Sequence, residues 1–234
     1  KYERFIVLSP SGDVLSNEFA LSANSKPSLA IKTGSDSAHI VYTGGNGPGL
    51  FREVNIPPYF LPKDITDYTP GVPDAFSGVN VYDLDSTPLV GSEWLVAYRD
   101  NANNDYGTLA SYDQSGNEVL SPTVFANSAA YEISVTTLFS GNVLIAYQDA
   151  GNADYGTFVV CSPAGELIVG PIVFCSDKTI DIVAETLESG NILIVYRDEG
   201  SSNDGQFTIY DESGNQVLAQ TTYDPEPEYV ALEP

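Results

Sequence analysis

A 49-residue block recurs through the middle of the chain, and it constrains the fold more than any other feature. Its clearest landmark is a short apolar run that ends in tyrosine at Tyr98, Tyr147 and Tyr196. The steps are 147 − 98 = 49 and 196 − 147 = 49. The same step separates three glycines, Gly107, Gly156 and Gly205. Repeats of roughly 40 to 50 residues made of short strands are typical of propeller blades.

Each repeat contains four strand patterns. In the middle copy, residues 131–138 alternate and are rich in β-branched side chains, whereas residues 143–147 are apolar on both faces, as in an interior strand. Residues 156–161 and 166–169 supply the other two strands. The hairpin turns carry glycine, which supplies the positive φ that tight turns need. Because no segment shows helical periodicity with caps, we predict an all-β chain.

The predicted architecture is a single five-bladed β-propeller domain over residues 1–234. The four full blades are predicted at residues 28–74, 77–125, 131–174 and 179–222. A closing blade combines residues 1–19 with residues 228–234, so that the two ends of the chain share it. A solenoid is the architectural alternative, because it tolerates a period of this length.

The closing blade lacks one strand, the counterpart of residues 143–147. Either the native chain continues past Pro234, or another copy supplies the strand and the protein forms homo-oligomers by strand exchange. Residues 55–74 form the other irregular feature. Their five prolines exclude a regular central strand, and they predict a long surface loop.

Composition excludes several classes of partner. The chain carries 32 acidic and 9 basic residues, a net charge of −23, which repels nucleic acid and anionic membrane surfaces. No run approaches the ~18 apolar residues that span a bilayer. Calcium, cationic partners and neutral sugars remain compatible with this charge. The chain starts at Lys1 and contains no Met, and we interpret it as a processed, extracellular protein.

The candidate binding residues lie in three loops that join the second and third strands of successive repeats. In the predicted propeller these loops share one rim. The ligand-binding candidates are Asp100, Asn104, Tyr106, Asp149, Asn152, Tyr155, Asp198 and Asn203. The metal-ligand candidates are Asp100, Asp105, Asp149, Asp154, Asp198 and Asp204.

Three roles fit these loops. Carboxylate and amide oxygens can bind calcium, which accepts 6 to 8 oxygen ligands in tolerant geometry. The same groups beside a tyrosine ring can hold sugar hydroxyls. Asp, Asn and Gly can also simply form turns. The spacing of the acidic residues does not match the EF-hand pattern, so it does not single out calcium, and all three roles stay open.

Other conspicuous side chains are predicted to be structural. Tyr98, Tyr147 and Tyr196 are expected in the core, with hydroxyls that reach the rim. Trp94 takes the place of a core valine, and His39 that of a core leucine. A lone histidine leaves no Ser-His-Asp or Cys-His nucleophile system to build.

The order of strand signals resembles the blades of sialidase-type propellers, which carry an Asp-box turn between their third and fourth strands. The matching turns here are residues 113–116 and 211–214, which begin with Asp and end with Gly. They are one residue longer than the Asp-box and lack its closing Trp. The resemblance implies a propeller fold and the phasing of its blades, and no activity.

The favoured function is a secreted, non-enzymatic recognition or adhesion module that binds glycans or a surface partner through the rim loops. No catalytic residue is assigned. The alternative is a glycosidase-type enzyme with two carboxylates near the propeller axis. The acids that break the repeat, Asp64, Asp67 and Asp74, lie in or at the end of the proline-rich loop. A structural subunit built by strand exchange is the second alternative.

Overall fold

The structure is a computed structural model that describes residues 2–5, 19–23, 28–31, 37–43, 48–55, 74–91, 93–113 and 115–224, with side chains from Phe76 onward. Within these ranges the only helical segments are three single 3-10 turns, Asn101–Asn103, Ala150–Asn152 and Glu199–Ser201. None of the described segments is a helix long and apolar enough to span a membrane. The all-β prediction is therefore confirmed.

The described strands follow one another in simple order. They are β1 (Tyr2–Phe5), β2 (Phe19–Ala23), β3 (Ser28–Ile31), β4 (Ser37–Thr43), β5 (Pro48–Asn55), β6 (Asp74–Pro88), β7 (Trp94–Asp100), β8 (Tyr106–Tyr112), β9 (Glu118–Thr137), β10 (Val143–Asp149), β11 (Tyr155–Cys161), β12 (Leu167–Thr186), β13 (Ile192–Asp198), β14 (Asp204–Tyr210) and β15 (Gln216–Asp224). β1 pairs with β2, and from β3 to β15 each strand pairs with the next. All pairs are antiparallel.

Three long strands, β6, β9 and β12, divide this series into four sheets. β9, for example, pairs with β8 up to Ala129 and with β10 from Ala130 onward. Sheets I, II, III and IV thus comprise the described residues within 28–80, 81–129, 130–178 and 179–224. We call residues 81–88, 130–137 and 179–186 the inner strands. We call residues 118–129, residues 167–178 and β15 the outer strands.

Several predicted features fall outside the described residues. The proline-rich segment is undescribed from 56 to 73, and so are residues 6–18 and 225–234 of the predicted closing blade. His39 lies in β4, where its backbone pairs with Ala30 and Glu53, but its side chain is not described.

Successive sheets pack face to face. Leu95 and Leu109 of sheet II pack with Val143 and Ile145 of sheet III in one apolar cluster. The opposite face of sheet III contributes residues such as Phe158 to a second cluster with sheet IV. Both faces of β10 are buried, which explains why residues 143–147 are apolar throughout. This packing is that of propeller blades.

Aromatic pairs repeat at the interfaces between sheets. Ring centroids are separated by 5.9 Å in Phe76–Tyr98, 5.4 Å in Phe125–Tyr147 and 5.0 Å in Phe174–Tyr196. The three tyrosines are buried, as is Trp94, so the prediction that they are core residues is confirmed. Two of the repeated glycines lie against these rings, since a Cβ atom on Gly107 would approach the Phe125 ring to 2.5 Å and one on Gly156 the Phe174 ring to 2.5 Å.

The inner strands lie side by side and bond to one another. Asp85 Oδ2 accepts a hydrogen bond from the Val135 amide at 2.8 Å, and Ser134 Oγ accepts one from the Ala184 amide at 3.0 Å. Hydroxyl pairs add to this at Thr87–Thr137 (2.9 Å) and Thr136–Thr186 (3.1 Å). Side chains of one sheet therefore satisfy backbone donors of the next.

The turns that resemble the Asp-box hold themselves together. Asp113 Oδ1 accepts from the amides of Ser115 and Asn117, both at 2.8 Å, and Asp113 Oδ2 accepts from Asn117 Nδ2 at 2.8 Å. The Asn117 side chain is the main cause that lowers the pKa of Asp113. Asp211 and Asn215 make the same contacts in sheet IV. A closing Trp is thus not needed for this turn.

The ring contact at Gly156 gives a stability prediction. Gly156→Ala would force the Phe174 ring away from Tyr196, and we expect a loss of ~1–3 kcal/mol in the free energy of unfolding, as for other overpacked cores. Urea denaturation measures it. Gly78→Ala is the matched control, since a Cβ there meets nothing within 4 Å. Equal effects of the two substitutions would contradict the ring-contact explanation.

Candidate functional site

The predicted binding loops lie at one edge of sheets II, III and IV. Each loop leaves the second strand of its sheet at Asp100, Asp149 or Asp198 and returns through the third strand. In sheet III, Asp149 pairs with Tyr155 across the base of the loop. The three loops therefore occupy equivalent places on successive sheets.

All three loops have the same conformation. Asp149 Oδ1 accepts a hydrogen bond from the Gly151 amide at 3.0 Å and thereby caps the 3-10 turn. Ala153 and Asp154 follow with φ of 56° and 62°, in the left-handed region. Asp100 and Asp198 cap their turns in the same way. The turn-forming role of these three aspartates, one of the three open alternatives, is thus directly visible.

The loops are anchored to the places where the outer strand of one sheet continues into the inner strand of the next. Ser128 Oγ donates to Asp149 Oδ1 at 2.5 Å, and the Thr179 amide donates to the Asp154 carbonyl at 3.1 Å. Asp198 is buried, and its Oδ2 accepts from Gln206 Nε2 at 3.3 Å. The carboxylates at the loop bases thus have partners within the protein.

The remaining metal candidates differ from loop to loop. Asp105 Oδ1 accepts from Arg99 at 3.1 Å and from Asn101 Nδ2 at 3.2 Å. Asp154 lies near Lys178, whose Nζ pairs with Glu199 at 2.6 Å. The backbone of Asp204 lies opposite that of Asp198 in the strand register at the base of its loop. Among the described residues, no group of three or more His, Cys, Asp and Glu is placed to hold a metal ion.

Exposed amides form the outward surface of the loops. Asn104, Asn152 and Asn203 are exposed, and Tyr106 and Tyr155 are half-buried beside them. None of the hydrogen bonds described above uses these three asparagine side chains. Each loop therefore presents its own amide over a fixed turn, next to a tyrosine in sheets II and III.

Arg99 is a rim residue whose role the sequence reasoning missed. Its guanidinium carbon lies 4.7 Å from the Tyr82 ring centroid and 4.6 Å from that of Tyr131. Its Nε donates to Asp83 Oδ2 at 2.7 Å, and it also bonds Asp105. Tyr131 belongs to the next sheet, so Arg99 joins two sheets at the rim.

Three acidic residues near the start of the inner strands have positive φ. They are Asp83 (44°), Glu132 (51°) and Asp181 (51°), again 49 residues apart. The pairing register of each inner strand shifts at this point. Bulges and strained backbone of this kind aim side chains and concentrate at functional sites. The repeat of acids at this step was the signal in the sequence.

A second missed feature lies farther along the inner strands. The pKa of the Glu185 carboxyl is raised, first by desolvation and then by the charge of Asp85. Glu185 takes the place of Thr87 and Thr136, so it is an acid that breaks the repeat. The repeat-breaking acids expected to be of interest, Asp64 and Asp67, lie outside the described residues. Only the backbone of Asp74 is described, at the start of β6.

Known structures share this fold. A mutant of the Aleuria aurantia lectin in complex with Fucα1-6GlcNAc matches with a TM-score of 0.59 and 14% identity, over 90% of this chain and 69% of that chain. The SapL1 lectin in complex with α-methyl fucoside matches with a TM-score of 0.58 and 13% identity, over 90% of this chain and 70% of that chain. A mutant of the GH43 protein BlXynB from Bacillus licheniformis matches with a TM-score of 0.53 and 8% identity, over 85% of this chain and 41% of that chain.

These similarities concern the fold. No protein-family model matches the sequence, and no curated protein matches it. The chain is therefore propeller-like, as predicted, with lectins and a glycoside hydrolase among its structural neighbours. The sialidase-type resemblance stays a resemblance, because no family model supports it.

Proposed function

We propose that this protein is a secreted, non-enzymatic module that binds neutral glycans through its rim loops. The observation that carries the proposal is the repetition of one loop geometry, with an exposed asparagine on each loop, at the same edge of three successive sheets. Two of its structural neighbours are lectins in complex with fucose-containing ligands.

The chemistry of the loops suits sugar hydroxyls. An amide both donates and accepts hydrogen bonds, as Asn104 and Asn152 would on adjacent loops, and the rings of Tyr106 and Tyr155 offer an apolar face. Fixed turns lose little entropy on binding. Three loops on one rim, each with an exposed amide, would bind a branched or surface-bound glycan with avidity. The net charge of −23 favours neutral over anionic sugars.

The proposal includes a fifth blade. Leu218 and Tyr223 on β15 are 39% and 46% exposed, whereas Phe174, the counterpart of Tyr223 in sheet III, is only 5% exposed because sheet IV covers it. A further blade against sheet IV would bury these side chains. We propose that the closing blade of residues 1–19 and 228–234 fills this place.

Glycan binding is tested with variants that leave the turns intact. On an array of neutral and anionic glycans, we expect binding to neutral sugars, fucosylated ones among them. The triple variant Asn104→Gly, Asn152→Ala and Asn203→Gly should lose at least ~10-fold in affinity, since each lost hydrogen bond is worth ~0.5–1.5 kcal/mol. Its melting temperature should change little, because these side chains are exposed and glycine tolerates the positive φ of residues 104 and 203.

Two controls separate binding from folding. Asn142→Ala changes an asparagine at the other end of β10 and should retain full binding. Asp149→Ala removes a turn cap and should lower the melting temperature. Undiminished glycan binding by the triple variant would place the binding site elsewhere, and no binding to any glycan would remove the proposal.

A glycosidase is the second candidate, and Glu185 is the observation that favours it. A carboxyl with a raised pKa beside a second carboxylate fits a general acid paired with a base or nucleophile. If the protein is an enzyme, Glu185→Gln should lower the rate of sugar release from an oligosaccharide panel by ~100-fold or more. Glu188→Gln, an exposed acid in the turn after the same inner strand, serves as the matched control. Absence of any release by the unmodified protein counts against this candidate.

Calcium remains a separate proposal. We propose modest stabilisation through Asp100 with Asp105, Asp149 with Asp154, and Asp198 with Asp204. A ligand that binds only the folded state raises the melting temperature by mass action. Melting curves in millimolar calcium and in excess chelator test it, with magnesium as the control cation. Superimposable curves would reject these sites.

A further inference from the structure

In sheets II and III, one equivalent position contacts the inner strand of the following sheet. In sheet II it is Arg99, whose guanidinium stacks 4.6 Å from the Tyr131 ring centroid of sheet III. In sheet III it is Gln148, whose Nε2 donates to the Thr179 carbonyl of sheet IV at 2.8 Å. The side chain at this position therefore joins sheet II to sheet III and sheet III to sheet IV.

Sheet IV carries Arg197 at this position. Arg197 bonds Asp181 at 2.9 Å, much as Arg99 bonds Asp83 at 2.7 Å. The Nε of Arg197 is buried, however, and finds no hydrogen-bond partner among the described residues. Within the same residues, sheet IV also has no following inner strand. A partly buried cation with an unsatisfied donor is costly, and a following inner strand would bring both an aromatic face for the guanidinium and backbone carbonyls that can accept from Nε.

The repeat identifies what would fill it. Tyr131 is the residue that covers Arg99, and the step from Arg99 to Arg197 is 98 residues. Adding 98 to 131 gives 229, and residue 229 is a tyrosine. The chain also reaches this place without a detour. In β9 and β12 the outer strand runs directly into the next inner strand, and β15 is the outer strand that precedes residues 225–234.

We propose that residues 225–234 pack against sheet IV as its following inner strand and that Tyr229 stacks on the guanidinium of Arg197. This inference rests on the proposed fifth blade and names the contact that closes it. The occupant is this chain's own segment, because only a few residues separate Asp224 from Tyr229. The contact would complete the rim next to the loop at residues 198–204.

A double-mutant cycle on thermal stability tests the contact. Arg197→Ala removes the guanidinium and, unlike glutamine, offers no amide that could bond the next strand as Gln148 does. Arg197→Ala and Tyr229→Ala should each lower the melting temperature by ~2–4 °C, the range for the loss of about one contact in a chain of this size. The double variant should melt no lower than the less stable of the two single variants, because both changes remove one interaction. Tyr229→Phe should retain full stability, since the ring carries the cation–π contact.

The reference cycle is Arg99→Ala with Tyr131→Ala, because the Arg99 guanidinium and the Tyr131 ring are in contact. Additive losses at Arg197 and Tyr229 alongside coupling at Arg99 and Tyr131 would overturn the proposed contact. Coupling in a protein that sediments as a dimer would overturn the assignment to this chain's own segment. An unchanged melting temperature after deletion of residues 225–234 would overturn the fifth blade as well. The glycan-binding test does not depend on this outcome, because it changes only residues of the rim loops.

Discussion

Face-to-face packing of successive sheets is the interaction on which the rest of this structure depends. Sheet III buries both of its faces, one against Leu95 and Leu109 and the other against Ile192 and Ile194. A sheet covered on both sides must be apolar on both sides, and its neighbour must approach closely. Glycine under the aromatic rings, exemplified by Gly156, permits this approach. The repeat of 49 residues is therefore the sequence record of one packing solution used in succession.

The sequence predicted the parts of the fold that depend on local pattern. The second strand at residues 143–147 was found because doubly apolar runs are rare outside interior strands. The continuity of β6, β9 and β12 was not found, since their middle portions, such as residues 126–130, are small and polar and look like a connection. What keeps β9 extended there is pairing with β8 on one side and β10 on the other. Such pairing joins residues far apart in sequence, which a local pattern does not encode.

The candidate site was predictable in place and only partly in role. Counting in steps of 49 located the loops and their aspartates, but one sequence pattern fits a turn cap, a calcium ligand and a sugar contact. Three-dimensional contacts separate these roles, as when Ser128 and the Gly151 amide both donate to Asp149. The role of Arg99 was missed for the same reason. Its partners Tyr82 and Tyr131 lie 17 residues before it and 32 after it, so only folding brings them together.

The positions where the repeat fails then become the informative ones. Scaffold demands are the same in each sheet, so a residue that differs from its counterparts is not required by packing alone. Glu185 replaces a threonine on an inner strand, where desolvation and, second, the charge of Asp85 raise the pKa of its carboxyl. Gln148 replaces an arginine yet keeps a contact to the next sheet. The first exchange adds a chemical property that packing does not explain, whereas the second preserves the packing by another bond. A search for function in this fold should therefore weigh Glu185 and the exposed loop amides above the residues that repeat inside the sheets.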